Sequence, residues 1–221
     1  MDIQLHFVEK GGGYPLILLH GNGEDHSIFA AQFDAFAPYF HIYAPDTRGH
    51  GKTPRGTADF TISQFVDDLL HFMDARGIDK AHILGFSDGA NIAMEFAVKY
   101  PDRVDKLVLN SGNFTVDGLK AAFLIPCRIQ RAIAARKGDT QKVELLDLML
   151  CDLGVNALDL TKIKSPTLVI AGTRDLIKRR HTELIAKCIA QSELAFVRGN
   201  HAVLRLNPAP FNRIVLDFLR K

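Results

Sequence analysis

Seven short apolar runs punctuate the chain, and between them lie stretches whose apolar residues recur with helical spacing. The runs are IQLHFVE (3–9), PLILLH (15–20), HIYAP (41–45), AHILGF (81–86), VDKLVLN (104–110), TLVIAG (167–172) and ELAFVRG (193–199). Several are continuously apolar instead of alternating, which is the pattern of strands buried on both faces. Helix-type stretches fall at about 27–37, 61–76, 89–100, 176–190 and 208–220; the second opens at Thr61, carries the stripe Ile62, Phe65, Val66, Leu69, Leu70 and stops at Gly77. Strands alternating with helices predict a mostly parallel α/β sheet of about seven strands, covered on both faces. A length of 221 residues without repeats or low-complexity segments fits one domain, 1–221, with a large core.

One stretch breaks the alternation. From about 114 to 164 there are two helix-like pieces, roughly 117–136 and 140–151, and no strand signal, although strands of one sheet bracket it. That is too long for a plain connection and is expected to be a short helical lid; the alternative is that 117–136 is simply a surface helix linking two strands. Leu119, Ala122, Phe123, Ile129 and Ile133 form an apolar side fit to cover a pocket mouth, with Phe123, Leu124 and Ile129 pointing to an apolar acyl or aryl group. Pro126 is expected to kink the first piece, and Arg128, Arg131, Arg136 and Lys137 to form a solvated face.

Composition excludes several function classes. Lys and Arg total 27 against 25 Asp and Glu, so a net charge of +2 gives no reason to expect nucleic acid or an anionic membrane as partner. No apolar run approaches the ~18 residues of a membrane span, and the first residues lack a signal-peptide pattern, so a cytoplasmic location is expected. Cys127, Cys151 and Cys188 are odd in number and lack CxxC spacing, which suggests free, partly buried thiols with neither a disulfide framework nor a zinc site; no metal is expected.

The chemistry gathers at GFSDGAN (85–91), where a strand pattern turns into a helix pattern around Ser87. Glycines at 85 and 89 free the backbone beside the serine of Cβ atoms, so the chain can turn sharply with the hydroxyl at the apex, the arrangement of a nucleophile elbow. A serine hydroxyl is a weak nucleophile until a positioned base takes its proton, and a histidine base needs an orienting carboxylate. Asp175 falls just past the strand 167–172 and His201 just past the strand 193–199, on the same sheet edge as Ser87 and in the chain order that such an elbow requires. Among nine histidines only His201 has this placement: His20 and His50 lie in glycine-rich turns suited to loop-fixing bonds, and His181 lies in a helix. Asp152 and Asp159 rival Asp175 but belong to the insertion. The oxyanion hole needs two donors, expected to be the backbone N–H groups of Asp88 and of Asn22 in HGNG (20–23).

These motifs, HGNG, PDTRGHGKT (45–53), GFSDGA, KYPDRVDKLVLNSG (99–112), SPTLVIAGTRD (165–175) and GNHAVLRLNPAPFNRIVLDFL (199–219), resemble the α/β-hydrolase superfamily over essentially the whole length. The resemblance implies the α/β-hydrolase fold, an eight-stranded parallel-type sheet less its first strand, and a bracing role for Asp46, Arg48 and His50. Two departures stand out: Asn200 precedes His201 where glycine is common, and the insertion is shorter than the caps of many relatives. The family hosts esterases, lipases, thioesterases, amidases, C–C hydrolases, dehalogenases and catalytically dead members, and fold does not choose among them. Ser87 argues against the dehalogenases, which use an aspartate. The expected activity is a cofactor-free serine hydrolase of small carboxylic esters, with C–C hydrolase or amidase as alternatives and a ligand-binding receptor or scaffold as the non-enzyme reading. The expected partner is a small-molecule ester; the oligomeric state stays open. GFSDGAN is also similar to the elbow of valacyclovir-hydrolase-like enzymes, where the carboxylate after the nucleophile can meet the α-ammonium of an aminoacyl ester. The alternative for Asp88 is a side chain turned away to serve the first turn of its own helix.

Overall fold

The computed structural model describes residues 2–221. Its strands are β1 (Phe7–Lys10), β2 (Pro15–Leu19), β3 (His41–Pro45), β4 (Ala81–Phe86), β5 (Val104–Asn110), β6 (Thr167–Gly172) and β7 (Ser192–Val197). They form one sheet in the order β1, β3, β2, β4, β5, β6, β7, parallel throughout except for β1, which runs antiparallel to β3.

The continuously apolar runs are explained by two cores, one on each face. In β2, Ile17 and Leu19 join one core while Leu16 and Leu18 join the other. The first core is closed by α2 (Ile62–Ala75), α3 (Asp88–Lys99) and α6 (Arg179–Cys188); the second by α1 (Ala30–Phe36) and α8 (Pro208–Leu219). Full burial of one such aliphatic side chain is worth about 1.5–3 kcal/mol, so the period-two split of every central strand fixes its register. Thr61 caps α2 by accepting from Gln64 N at 3.2 Å, and Gly77, at φ 65°, stands just past its end, as the sequence predicts.

Several boundaries differ from the sequence reading. The first strand begins at Phe7, not residue 3, because His6 is held by the turn after β3: its N–H donates to Thr53 Oγ1 and its ring bonds Asp46 Oδ2. The helix expected from 176 begins at Arg179, since Ile177 N–H donates to Asp175 Oδ1 and Ile177 bridges to Leu119. The last helix is preceded by one short turn, α7 (Val203–Leu206).

Between β5 and β6 the chain forms α4 (Ala121–Arg136) and α5 (Thr140–Leu150), joined by a three-residue turn and packed on each other. Arg131 lies on the expected solvated face, its side chain 42% exposed, and also pairs with Asp147 across the two helices, with Nη2 to Oδ2 at 2.9 Å. Arg128, Arg136 and Lys137 are exposed as expected. Pro126 is the sixth residue of α4, inside the helix, which continues through it to Arg136; its missing N–H costs one helical hydrogen bond. The insertion is anchored to the strand-end loop beyond β6 through Lys120 N–H on Leu176 O at 3.0 Å. Among the described residues no helix is long and apolar enough to cross a membrane.

Candidate active site

Ser87 sits between β4 and α3 at φ 54° and ψ −119°, a backbone region that disfavours any residue with a Cβ. The turn closes because its glycines permit it. A Cβ on Gly85 would stand 2.2 Å from Gly89 O, and one on Gly89 would stand 2.0 Å from Leu19 O, both impossible contacts. The carbonyl of Ser87 then accepts from Ala90 and Asn91 and starts the helix.

His201 Nε2 lies 2.9 Å from Ser87 Oγ, and His201 Nδ1 lies 2.7 Å from Asp175 Oδ1. With Nδ1–H donating to the carboxylate, Nε2 is left to accept the serine proton, the tautomer that the network assigns. The loops carrying these two residues cross closely at Gly172, where a Cβ would meet Asn200 O at 2.1 Å. Burial pushes the Asp175 carboxyl up, but hydrogen bonds from His201, Ser111 and Ile177 N–H outweigh it and hold it below its ordinary value. Asp152 and Asp159 do not reach His201; they bond Val116 N, and Asn156 N with Lys162, inside the insertion.

Ser111 is a residue that sequence reasoning missed. It follows β5 at φ 59° and donates its hydroxyl to Asp175 Oδ2 at 2.6 Å. The available signal was its position at a strand end on the same sheet edge as Ser87; no spacing rule couples it to a residue 64 positions away.

The loop after β2 is fixed by His20. Its Nδ1–H donates to Gly21 O at 2.8 Å and its Nε2 accepts from Thr47 N at 2.9 Å, while burial lowers its pKa to about 4 and keeps it neutral. A trans peptide opposes its C=O and N–H, so pinning Gly21 O turns the Asn22 N–H the other way. His50 bonds Arg48 O in the next turn. The Arg48 side chain is fully buried and is bidentate to Asp68 and to Asp2. His6, His26 and Asp46 bring three potential metal-ligand atoms within 4.8 Å of one another. Both Asp46 oxygens already accept bonds from these rings and from the N–H groups of His26 and Lys52, which accounts for the cluster as a brace.

Above Ser87 lies a cavity of about 190 Å³. Leu119, Phe123, Leu148 and Ile177 give it apolar walls, while Asn22, Glu24, Asp88 and His201 bring polar atoms to it. Ile129 and Ile133 do not cover it: they are 55% and 46% exposed on the outer side of α4, and Leu124 does not line the cavity. Asp88 is not turned away to its helix backbone. Its Oδ2 accepts from Asn22 Nδ2 at 2.8 Å and its Oδ1 from Asn91 Nδ2 at 3.2 Å. Burial pushes its carboxyl up, and no lysine or arginine lines the cavity. Glu24 is raised by burial as well, and its Oε2 has no hydrogen-bond partner.

A family model for the alpha/beta hydrolase fold matches residues 14–133. The chain belongs to the α/β hydrolase fold family. It is 28% identical to a Caulobacter protein named "Putative carbamate hydrolase RutD", over 92% of this chain and 90% of that one. Two solved structures share its α/β hydrolase fold: an enol-lactonase from Burkholderia xenovorans, with a TM-score of 0.82, 22% identity and 99% and 97% of the two chains covered, and a meta-cleavage product hydrolase from Pseudomonas fluorescens, with a TM-score of 0.82, 22% identity and 99% and 94% covered.

Proposed function

We propose that this α/β hydrolase is a serine hydrolase of small carboxylic esters. The observation that carries the reading is the aligned Ser87, His201 and Asp175, with contacts of 2.9 and 2.7 Å. His201 Nε2 takes the hydroxyl proton as Ser87 Oγ attacks the carbonyl carbon. The tetrahedral oxyanion is held by the N–H groups of Asn22 and Asp88, the latter at the unsatisfied start of α3. The imidazolium gives its proton to the leaving oxygen, and an acyl-enzyme remains. Water, deprotonated by the same imidazole, attacks the acyl carbon and releases the acid. Asp175 keeps the ring in its tautomer and stabilises the imidazolium. The helices α4 and α5 act as the lid, contributing Phe123 and Leu148 to the walls.

One observation favours a narrower substrate. Asp88 places a buried carboxylate in a cavity wall that has no lysine or arginine, where its field opposes an oxyanion unless a cation stands beside it. An aminoacyl ester brings that cation as its α-ammonium.

A fluorophosphonate probe should label Ser87 in the folded protein, and Ser87→Ala should cut p-nitrophenyl ester turnover by about 10⁴-fold or more. Folded protein that stays unlabelled sinks the reading. Aminoacyl esters should outrun neutral esters of equal size, and Asp88→Asn should erase that difference; equal rates in both proteins would leave only the plain esterase.

A further inference from the structure

Beside His201 the catalytic cavity adjoins a second space, an open groove of about 510 Å³. His201, Phe123, Leu176 and Ala202 line both, whereas Ser87, Asn22 and Asp88 line the inner cavity alone. The two spaces carry opposite charge. The inner cavity has the carboxylates of Glu24 and Asp88 and no lysine or arginine. The groove is bordered by Lys120, Arg174 and Arg205. Its one carboxylate, Asp175, is already engaged by His201, Ser111 and the N–H of Ile177.

These cations are open to a ligand. Arg174 and Arg205 are exposed, and among the described residues neither side chain makes a hydrogen bond or an ion pair. Glu24 feels the Arg205 charge through space from the inner side. Lys120 Nζ donates to the carbonyl oxygen of Asp175, a bond that leaves its charge unneutralised. Phe123, Leu176 and the exposed Leu206 add apolar surface on which a hydrocarbon body can lie.

The imidazole decides which half of a substrate enters the groove. His201 Nε2, 2.9 Å from Ser87 Oγ, must hand its proton to the leaving oxygen, so that oxygen stands on the His201 side. The acyl half and its oxyanion then lie toward Asn22 and Asp88. A leaving group that extends past His201 passes from a negative wall to a positive one, and an anion on it gains from all three cations.

We propose that the groove binds the leaving group of the ester and selects an alcohol or phenol that carries a carboxylate or a phosphate. The assignment rests on the serine-hydrolase reading and gives that reading a substrate class. Arginine forks suit either anion. The covalent steps are unchanged: the proton on His201 passes to the leaving oxygen, and the anionic alcohol departs from the acyl-enzyme.

Three acetate esters with one acyl group test it: 4-acetoxybenzoate, 4-acetoxyphenyl phosphate and the neutral 4-acetoxybenzamide. Each kcat/KM is divided by the ester's rate of imidazole-catalysed hydrolysis, which removes differences in intrinsic reactivity. Both anionic esters should then exceed the amide at low salt, and the preference should shrink in about 1 M sodium chloride, where the Debye length falls to about 3 Å. Monophenyl succinate, with its carboxylate on the acyl side, should gain nothing over phenyl acetate. Arg174→Gln and Arg205→Gln should each lower the anionic-to-neutral ratio about threefold to fivefold, and the double variant about tenfold, the worth of exposed charge pairs. Arg128→Gln, which removes an exposed cation that does not line the groove, should leave the ratio unchanged. Calorimetry supplies a readout without turnover: Ser87→Ala should bind 4-hydroxyphenyl phosphate, and adding the two arginine changes should abolish that binding. Cleavage of the amide without preference for the anionic esters overturns the proposal and leaves the hydrolase reading standing. So does a ratio indifferent to the double variant, or an equal gain by monophenyl succinate. If no ester at all is cleaved, the hydrolase reading fails first and takes the leaving-group assignment with it.

Discussion

Asn22 Nδ2 lies 2.8 Å from Asp88 Oδ2 and 2.8 Å from the carbonyl oxygen of Leu145, so one amide ties the loop after β2 to the elbow and to α5. Asn22→Ala keeps the backbone N–H and removes both bonds. It should lower stability by about 1–3 kcal/mol, the cost of stranding buried acceptors. Ester kinetics should show KM rising more than kcat falls, because the cavity wall loosens while the oxyanion donor remains. An equal loss in kcat would mean that the amide, not the backbone, supports the reaction.

Ser111→Ala removes the 2.6 Å donor to Asp175 Oδ2. A bond to a charged group is worth about 1.5–3 kcal/mol, so kcat should fall about tenfold or more at unchanged KM. The folded-state pKa of Asp175 lies below its ordinary 3.8. Its stabilisation is therefore present above that value and is lost as pH falls through the folded value. Without Ser111 the depression shrinks, and acid unfolding followed by circular dichroism should begin at a higher pH than in the parent.

Three buried histidines set a second acid limit. Burial lowers His20, His82 and His181 from 6.5 to about 4 each. The unfolded chain takes up these protons as pH falls below 6.5, while the folded chain refuses them until about 4. Stability should fall across that window by up to about 1.4 kcal/mol per pH unit for each histidine. Urea midpoints measured from pH 7 to 4 check this; a flat profile would show that the rings protonate in place.

Arg48→Met strands Asp68, whose side chain is 2% exposed and whose oxygens accept from Arg48 Nε and Nη2 at 2.8 Å. Breaking a buried pair from one side costs about 3–5 kcal/mol. Thermal unfolding should register that loss, whereas the surviving folded fraction should keep its ester kcat, since no Arg48 atom lines the catalytic cavity.

The central strands were legible because they bury both faces, so that Leu16 to Leu19 are apolar without a break. Ser87, Asp175 and His201 were legible because each ends or follows a strand on one sheet edge, which geometry converts into proximity. Ser111 was not, because its role rests on a side-chain contact with a residue 64 positions away that leaves no period in the chain. The helix α4 misled for a related reason. Phe123 faces the cavity while Ile125, Ile129 and Ile133 form an exposed stripe on the same helix, and an apolar pattern alone does not tell which side is inward. For Asp88 the sequence posed two orientations; the carboxylate lines the cavity, held by two amides contributed by Asn22 and Asn91.

Ser87 holds φ 54° and ψ −119°, so the proposed nucleophile sits where its own side chain makes the backbone less stable. Strain of this kind costs on the order of 1–3 kcal/mol. Ser87→Gly should therefore unfold at a higher temperature than Ser87→Ala, with both inactive. In evolutionary terms, folding alone would favour glycine at position 87, and under the proposed mechanism a descendant released from catalysis would be expected to drift toward it.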